Sequence, residues 1–192
     1  MSMVGFIGHR LRRAFWTLFY RTVARAAFNR LGKGVRFEGW VDVPQRGGRI
    51  IIGDQAYICR FVEFSVPAGG ELLVGDKVFV GRGVVISAHR RVAIGNHTML
   101  GEYVSIHDND HRMDRVEVPI AERGYVSEVL EIGSNCWVGA RAALLRGSGM
   151  QVNSVLGAGA VLTQHLATGV VAAGVPAKPI NPARSEETMC NG

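Results

Sequence analysis

The sequence predicts an all-β fold, a parallel β-helix of about five coils, with a helical segment before it and a loop protruding after the third coil. Three observations carry this reading. Apolar residues recur at every sixth position in five runs: Ile52, Ile58, Phe64; Val74, Val80, Ile86; Ile94, Leu100, Ile106; Ile132, Val138, Leu144; and Met150, Leu156, Leu162, with eight of these fifteen followed by glycine. The fourth residue after each is mostly small or β-branched, as at Ala56, Val78, Thr98, Cys136, Ser154 and Ala160. The composition agrees, because 25 glycines in 192 residues with only 8% aromatics suit short strands between tight turns better than a helical bundle.

Each hexad supplies one strand and one corner. Three hexads, 18 residues, close a triangular coil whose aliphatic and small positions fill a narrow interior, and each coil touches only its neighbours. The glycine after the aliphatic relieves crowding or permits a positive φ at the corner. Three interruptions break the register: Gly70 to Leu73, the pair Val92 and Ala93, and the twenty residues from Arg112 to Glu131. Interruptions of a solenoid become loops on its side, where binding sites gather. The long one, residues 112–131, is the candidate functional loop.

The remaining composition bounds the function. With 47% hydrophobic and 20% charged residues the chain is globular and long enough to bury a core. The net charge of +6 is concentrated: residues 1–37 hold eight cations and no acid, which leaves the body at −2. A near-neutral body argues against a nucleic-acid partner. Cys59, Cys136 and Cys190 form no metal-ligand spacing and read as reduced thiols of a cytoplasmic protein. No apolar run approaches the roughly 20 residues of a membrane span, and no signal-like core precedes a small-residue cleavage site.

The ends differ from the middle. Residues 1–45 form a basic amphipathic N-terminal cap; Phe6, Ile7, Leu11, Phe15, Trp16, Leu18, Phe19 and Tyr20 alternate with arginines in a helical pattern. Two roles stay open for it: covering the open first coil, which a solenoid requires, and peripheral contact of residues 1–37 with the inner face of a membrane. Residues 46–180 are the β-helix domain and 181–192 a frayed tail.

The hexads, the run Ile132-Gly-Ser-Asn-Cys-Trp-Val-Gly-Ala140 and the ending Val170-Val-Ala-Ala-Gly-Val-Pro-Ala-Lys178 resemble the left-handed parallel β-helix acyltransferases, and most closely the sugar and xenobiotic O-acetyltransferases. The resemblance spans about residues 50 to 180. It implies left-handed winding, a homotrimer, acetyl-CoA as co-substrate in a groove between neighbouring prisms, and a sugar or saccharide hydroxyl as acceptor, with surface polysaccharide synthesis as a setting. Aligning Ile106 with the family's hexad puts His111 at the catalytic position, where an imidazole near its ordinary pKa can take a proton from a hydroxyl at neutral pH. The resemblance also assigns Gly139, Ala140, Gly157, Ala158, Thr163 and Lys178 to acetyl-CoA. Asp108 and Asp110 are candidates for the acceptor or for orienting His111.

Rival readings are close at hand. His107 follows Ile106 at a corner and is the nearest rival base. His89 and His97, with His107 and His111, raise a zinc-dependent β-helix enzyme of carbonic anhydrase type, but three imidazoles must converge for that, and the expectation is no metal. A non-catalytic β-helix scaffold is the other alternative. One departure stands out. Galactoside and maltose acetyltransferases carry a further catalytic Asn a coil or more before the His, and the matching stretch Val80-Gly-Arg-Gly83 has none. Asn109 and Asn135 are the available substitutes.

Overall fold

The computed structural model describes residues 3–22, 25–44 and 47–181. Almost all of the expected C-terminal tail, with Cys190, lies outside the described residues. One helix, α1 (Met3–Thr22), precedes a triangular prism. The first wall stacks Arg30–Leu31, Arg49–Ile52, Glu71–Val74, Arg91–Ile94, Val129–Ile132, Gly149–Met150 and His165–Leu166. The second stacks Arg36–Phe37, Tyr57–Ile58, Phe79–Val80, Met99–Leu100, Trp137–Val138, Val155–Leu156 and Val171–Ala173, and ends with Lys178–Asn181 folded back antiparallel. The third stacks Val41–Asp42, Val62–Ser65, Val85–Ser87, Ser105–His107, Ala143–Leu144 and Val161–Leu162. This makes six complete coils and the first two walls of a seventh, one more than the hexads suggest.

The extra coil comes from the N-terminal side. Strands at residues 30–42 form the first coil, within the segment assigned to the cap, so the solenoid begins well before residue 46. Leu31, Phe37 and Val43 keep the six-residue step, because the pairing of Val41 with Val62 sets Val43 level with Phe64; the coil follows the same hexad rule, and runs counted from Ile52 start one coil late. Two of the interruptions are not loops. Gly70 to Leu73 and Val92–Ala93 are mostly absorbed into longer strands of the first wall.

The interior is a stack of like residues. In the second wall Phe37, Ile58, Val80, Leu100, Val138, Leu156 and Ala172 lie in register, all fully buried. The small positions lie beside them at Val35, Ala56, Val78, Thr98, Cys136 and Ser154. Glycine after the aliphatic answers crowding, not φ. A Cβ on Gly53 would sit 2.5 Å from the carbonyl carbon of Gly75, and one on Gly95 2.5 Å from that of Gly133. The left-handed corner position falls two residues later, on Gln55, Lys77, His97 and Asn135, with φ between 55° and 60°. His97 is therefore an exposed corner residue.

Helix α1 closes the open end. Its inward residues, Trp16, Phe19 and Tyr20, recur at helical spacing and pack on the first coil. The Thr17 hydroxyl accepts a hydrogen bond from the Phe37 N–H at 3.0 Å. Tyr20 is the anchor: its ring lies 4.4 Å from that of Phe37, and its hydroxyl donates to the Val41 carbonyl at 3.0 Å while accepting from the Val41 N–H at 2.7 Å. Burial is the main influence on its phenol, which is held above its ordinary pKa. Tyr20→Phe strips a partner from two buried backbone groups and should lower stability by about 1–3 kcal/mol. Tyr20→Ala also opens a cavity and should cost about 3–5 kcal/mol. Urea unfolding of the two variants checks both values, and equal midpoints with the parent would show that the anchor is dispensable.

Candidate functional site

The chain leaves the prism once at length. After the strand Ser105–His107 it forms a two-stranded antiparallel hairpin, Asn109–His111 against Tyr125–Ser127, and returns at Val129 to the first wall. The excursion thus runs from about residue 108 to 128, not 112 to 131; Val129, Leu130 and Glu131 already pair with the preceding coil. The neck is tied by the Asp108 N–H to the Ser87 carbonyl at 3.2 Å and the Glu128 N–H to the Asp108 carbonyl at 2.9 Å.

Asp108 is fully buried at this neck. Its carboxylate accepts hydrogen bonds from the backbone N–H groups of His89 at 2.8 Å, Arg90 at 2.7 Å and Arg91 at 2.8 Å. Both oxygens are committed to the corner of the coil below, which gives Asp108 a holding role and little freedom to meet an acceptor. Asn109 is held nearby, its Oδ1 accepting from the Ser87 hydroxyl at 2.9 Å. Asn135 lies at a different corner, where its amide donates to Asn153 at 2.8 Å.

His111 pairs with Tyr125 across the hairpin, their rings 4.5 Å apart, and Tyr125 in turn lies 4.5 Å from the ring of His89. The ring of His111 is half-buried, and its Nδ1 is buried with no hydrogen-bond partner among the described residues. It lines a cavity of about 580 Å³ with Asp110, Met113, Asp114, Val126 and Arg146. Asp110 is exposed on the hairpin and accepts from the Arg146 Nε at 2.8 Å; Arg146 also pairs with Glu128. One arginine of the next coil thus holds both arms of the hairpin. Sequence reading had no signal for Arg146 or Tyr125, whose roles depend on hairpin register.

His107 differs in kind. It stays on the third wall, 2.6 Å by Nε2 from the Ser105 hydroxyl. Burial is the largest influence on it and lowers its pKa below the ordinary histidine value against the pull of Asp110 and Asp108. Among the described residues no three His, Cys, Asp or Glu side chains gather as a metal ion requires. Cys59 and Cys136 are buried thiols, and burial with the neighbouring Glu38 pushes the Cys59 thiol up to about 12.

The residues assigned to acetyl-CoA fall in three places. Gly139, Ala140, Gly157 and Ala158 follow second-wall strands of consecutive coils and stack at one corner; the Gly139 and Gly157 N–H groups donate to Leu156 and Ala172, and the Gly159 N–H to Ala140. Lys178 is exposed on the folded-back strand, opposite Ala173. Thr163 lies at the next corner, following Leu162, which stacks on Leu144 and Ile106. That is the corner from which the His111 hairpin springs, two coils below, or roughly 10 Å along the axis at strand spacing.

Comparison with known proteins gives the class. No family model matches the chain. A probable acetyltransferase of Mycobacterium tuberculosis is 34% identical over 152 residues, 78% of this chain and 48% of that protein. The galactoside O-acetyltransferase of Escherichia coli is 32% identical over 90 residues, 46% of this chain and 43% of that protein. The chain spans about half the length of the curated relatives it matches. Among solved structures, AntD, an N-acyltransferase from Bacillus cereus in complex with dTDP-4-amino-4,6-dideoxyglucose and coenzyme A, has a TM-score of 0.70 over 88% of this chain and 90% of its own, at 13% identity. The polySia-specific acetyltransferase NeuO has a TM-score of 0.54 over 83% and 89%, at 23% identity.

Fold and sequence together define a left-handed β-helix, built like the hexapeptide-repeat acyltransferases to which the chain is similar. Its curated relatives are acetyltransferases, and structural neighbours carry coenzyme A.

Two expectations follow from this geometry. Arg146→Ala frees both arms of the hairpin, so amide hydrogen exchange should speed up across residues 109–128 and stay unchanged in the prism; unaltered exchange there would show that the arginine holds nothing. His107 has a folded-state pKa below its unfolded one, so its contribution to stability is present above about pH 6.5 and is lost as the pH falls below that value. Melting temperatures between about pH 7.5 and about pH 5 should fall more steeply in the parent than in His107→Gln. Parallel curves would remove the effect.

Proposed function

We propose that the chain is an acetyl-CoA-dependent O-acetyltransferase acting on a hydroxyl of a sugar or saccharide, with His111 as general base. The observation that carries this reading is the placement of His111: on a hairpin outside the prism, facing a cavity rimmed by carboxylates and an arginine, in a chain whose relatives are acetyltransferases. In this reading the imidazole takes the acceptor's hydroxyl proton as its oxygen attacks the thioester carbonyl. The tetrahedral intermediate then collapses, the C–S bond breaks, and the imidazolium returns the proton to the departing coenzyme A thiolate. Transfer is direct in this reading: among the described residues no Ser or Cys lines the cavity, the Ser105 hydroxyl that meets His107 belongs to the third wall, and the buried Cys59 thiol, raised to about 12, is a poor nucleophile. Asp110 is in reach of the acceptor. The stacked corner of Gly139, Ala140 and Ala158, together with Thr163 and Lys178, takes the pantetheine arm and phosphates of acetyl-CoA.

A homotrimer belongs to this proposal. Tyr57, Phe79, Met99, Trp137 and Val155 form an outward row along the second wall, in register from coil to coil, and Trp137 is 52% exposed and Met99 48%. A continuous apolar strip on one wall suits a neighbouring prism. A cytoplasmic location and a role in surface polysaccharide synthesis complete the reading.

A thiol-release assay with acetyl-CoA across neutral sugars, nucleotide sugars, amino sugars and small hydroxyl compounds tests it. Release with hydroxyl acceptors supports the reading, turnover confined to amino sugars would make the enzyme an N-acyltransferase, and no coenzyme A binding would leave a scaffold. His111→Ala should keep the fold and lower turnover by roughly 10²–10⁴-fold. Lys178→Ala should raise the KM for acetyl-CoA and spare that for the acceptor, and an unchanged coenzyme A affinity by calorimetry would take Lys178 out of the site.

A further inference from the structure

Helix α1 has a second face that capping does not use. Trp16, Phe19 and Tyr20 point to the prism, while Leu11, Phe15 and Leu18, spaced four and three residues apart, are 66%, 60% and 63% exposed on an outward face, where Phe15 borders the rings of Trp16 and Phe19. Capping gives Phe15 a contact with the inward rings but leaves its exposed side, and Leu11 and Leu18, without a use. Beside the exposed stripe is a cavity of about 380 Å³ lined by Arg13, Ala14, Thr17, Leu18, Arg21 and Arg36, three guanidinium groups with no carboxylate among its lining residues. Arg12, on the inward side, is taken up by Glu38 at 3.3 Å. The segment as a whole has eight cations and no acid in residues 1–37. No helix among the described residues is long and apolar enough to cross a membrane.

We propose that this outer face of α1 docks on an anionic lipid surface, with Leu11, Phe15 and Leu18 entering the headgroup boundary and the Arg13–Arg21–Arg36 notch holding a lipid phosphate. The chemistry favours lipid over a soluble phosphate because the apolar stripe borders the notch, sharing Leu18, and a soluble anion has no use for it. It favours lipid over a second protein chain because Arg13, Arg21 and Arg36 meet no carboxylate in the notch among the described residues and match an anionic sheet of headgroups, where each cation strengthens attachment and salt weakens it. The cap then works as a two-sided wedge, with one face closing the prism and the other standing the prism on the membrane. The proposal is independent of the acyl-transfer reading, because its test measures attachment and not turnover.

The experiment is co-sedimentation of the full chain with vesicles of phosphatidylglycerol and phosphatidylcholine, and with phosphatidylcholine alone. Binding to the anionic vesicles only, released at about 0.5 M salt, is expected. Arg13→Gln with Arg21→Gln should weaken it about 25-fold, about five-fold for each arginine. Leu11→Ser with Leu18→Ser should weaken it as well, in a protein whose melting temperature is unchanged because these side chains are outside the core. Each of the following results overturns the proposal: no binding to either vesicle, equal binding to both, either double variant binding like the parent, calorimetric binding of inorganic phosphate that the leucine variant leaves intact while vesicle binding is absent, or a drop in oligomer size in either variant without vesicles, which would make the face a protein–protein contact.

Discussion

Hydrogen bonding between stacked coils is the interaction on which the rest of this structure depends. A strand in the prism has its donors and acceptors satisfied by the coils on either side, as when the Gly53 N–H donates to Val74 and the Gly75 N–H to Ile94. Each coil is therefore stable only between two others, and both ends present unpaired backbone and open aliphatic columns. The two ends are closed by different means. At the C-terminal end Lys178–Asn181 turns back antiparallel on Val171–Ala173, with Ala177 buried beneath. At the N-terminal end a helix does the work, and since a helix spends its own hydrogen bonds internally, it meets the first coil with side chains: the Tyr20 hydroxyl on Val41 and the Thr17 hydroxyl on Phe37.

The same stacking decides where chemistry can sit. A residue on a wall either fills the interior or lies flat on a surface whose neighbours above and below are fixed, so a long excursion has to start at a corner and leave the stack unbroken beneath it. Asp108 meets that demand. Its carboxylate gathers three N–H groups from the His89–Arg91 corner, and its backbone joins the chain leaving the prism to the chain returning at Glu128. A charged group with this many charge-assisted bonds is a stiff joint. From that joint only two residues, Asn109 and Asp110, precede His111, and Arg146 of the following coil holds both arms through Asp110 and Glu128. His111 is thus outside the prism while remaining close to its rigid frame.

Much of the prism was legible in the sequence because its interior repeats. One aliphatic and one small residue per corner is a local rule that shows without knowledge of which coil touches which. The rule holds even in the first coil, at Leu31, Phe37 and Val43; it failed where geometry, not side-chain type, changed, because the first wall lengthens to four residues at Glu71–Val74 and Arg91–Ile94, which looks like insertion in a strict hexad count. The site was legible in one residue and opaque in its surroundings. His111 stood out through a resemblance, whereas Tyr125 comes beside it only because the hairpin pairs 111 with 125, a register set after a turn of irregular length. Asp108 was visible as an acid near a histidine, but its three backbone partners belong to the previous coil and have no sequence mark.

The two histidines four residues apart show how environment, more than spacing, separates a candidate base from a structural imidazole. His107 is on the third wall and in contact with the Ser105 hydroxyl, and burial holds it toward the neutral form. Its position is set by the wall, where it pairs with Ser87 below and follows Ser105 and Ile106, which pair with Ala143 and Leu144 above. His111 has a cavity on one side, an aromatic ring on the other, and a buried Nδ1 with no hydrogen-bond partner among the described residues. A general base has to reach a proton that arrives with the acceptor, and a group whose ring nitrogen is already engaged by a wall hydroxyl would first have to give that bond up. A ring set against Tyr125 and lining the cavity, with no wall hydroxyl on it, needs no such exchange, and that difference supports the proposed chemistry on the hairpin over the wall.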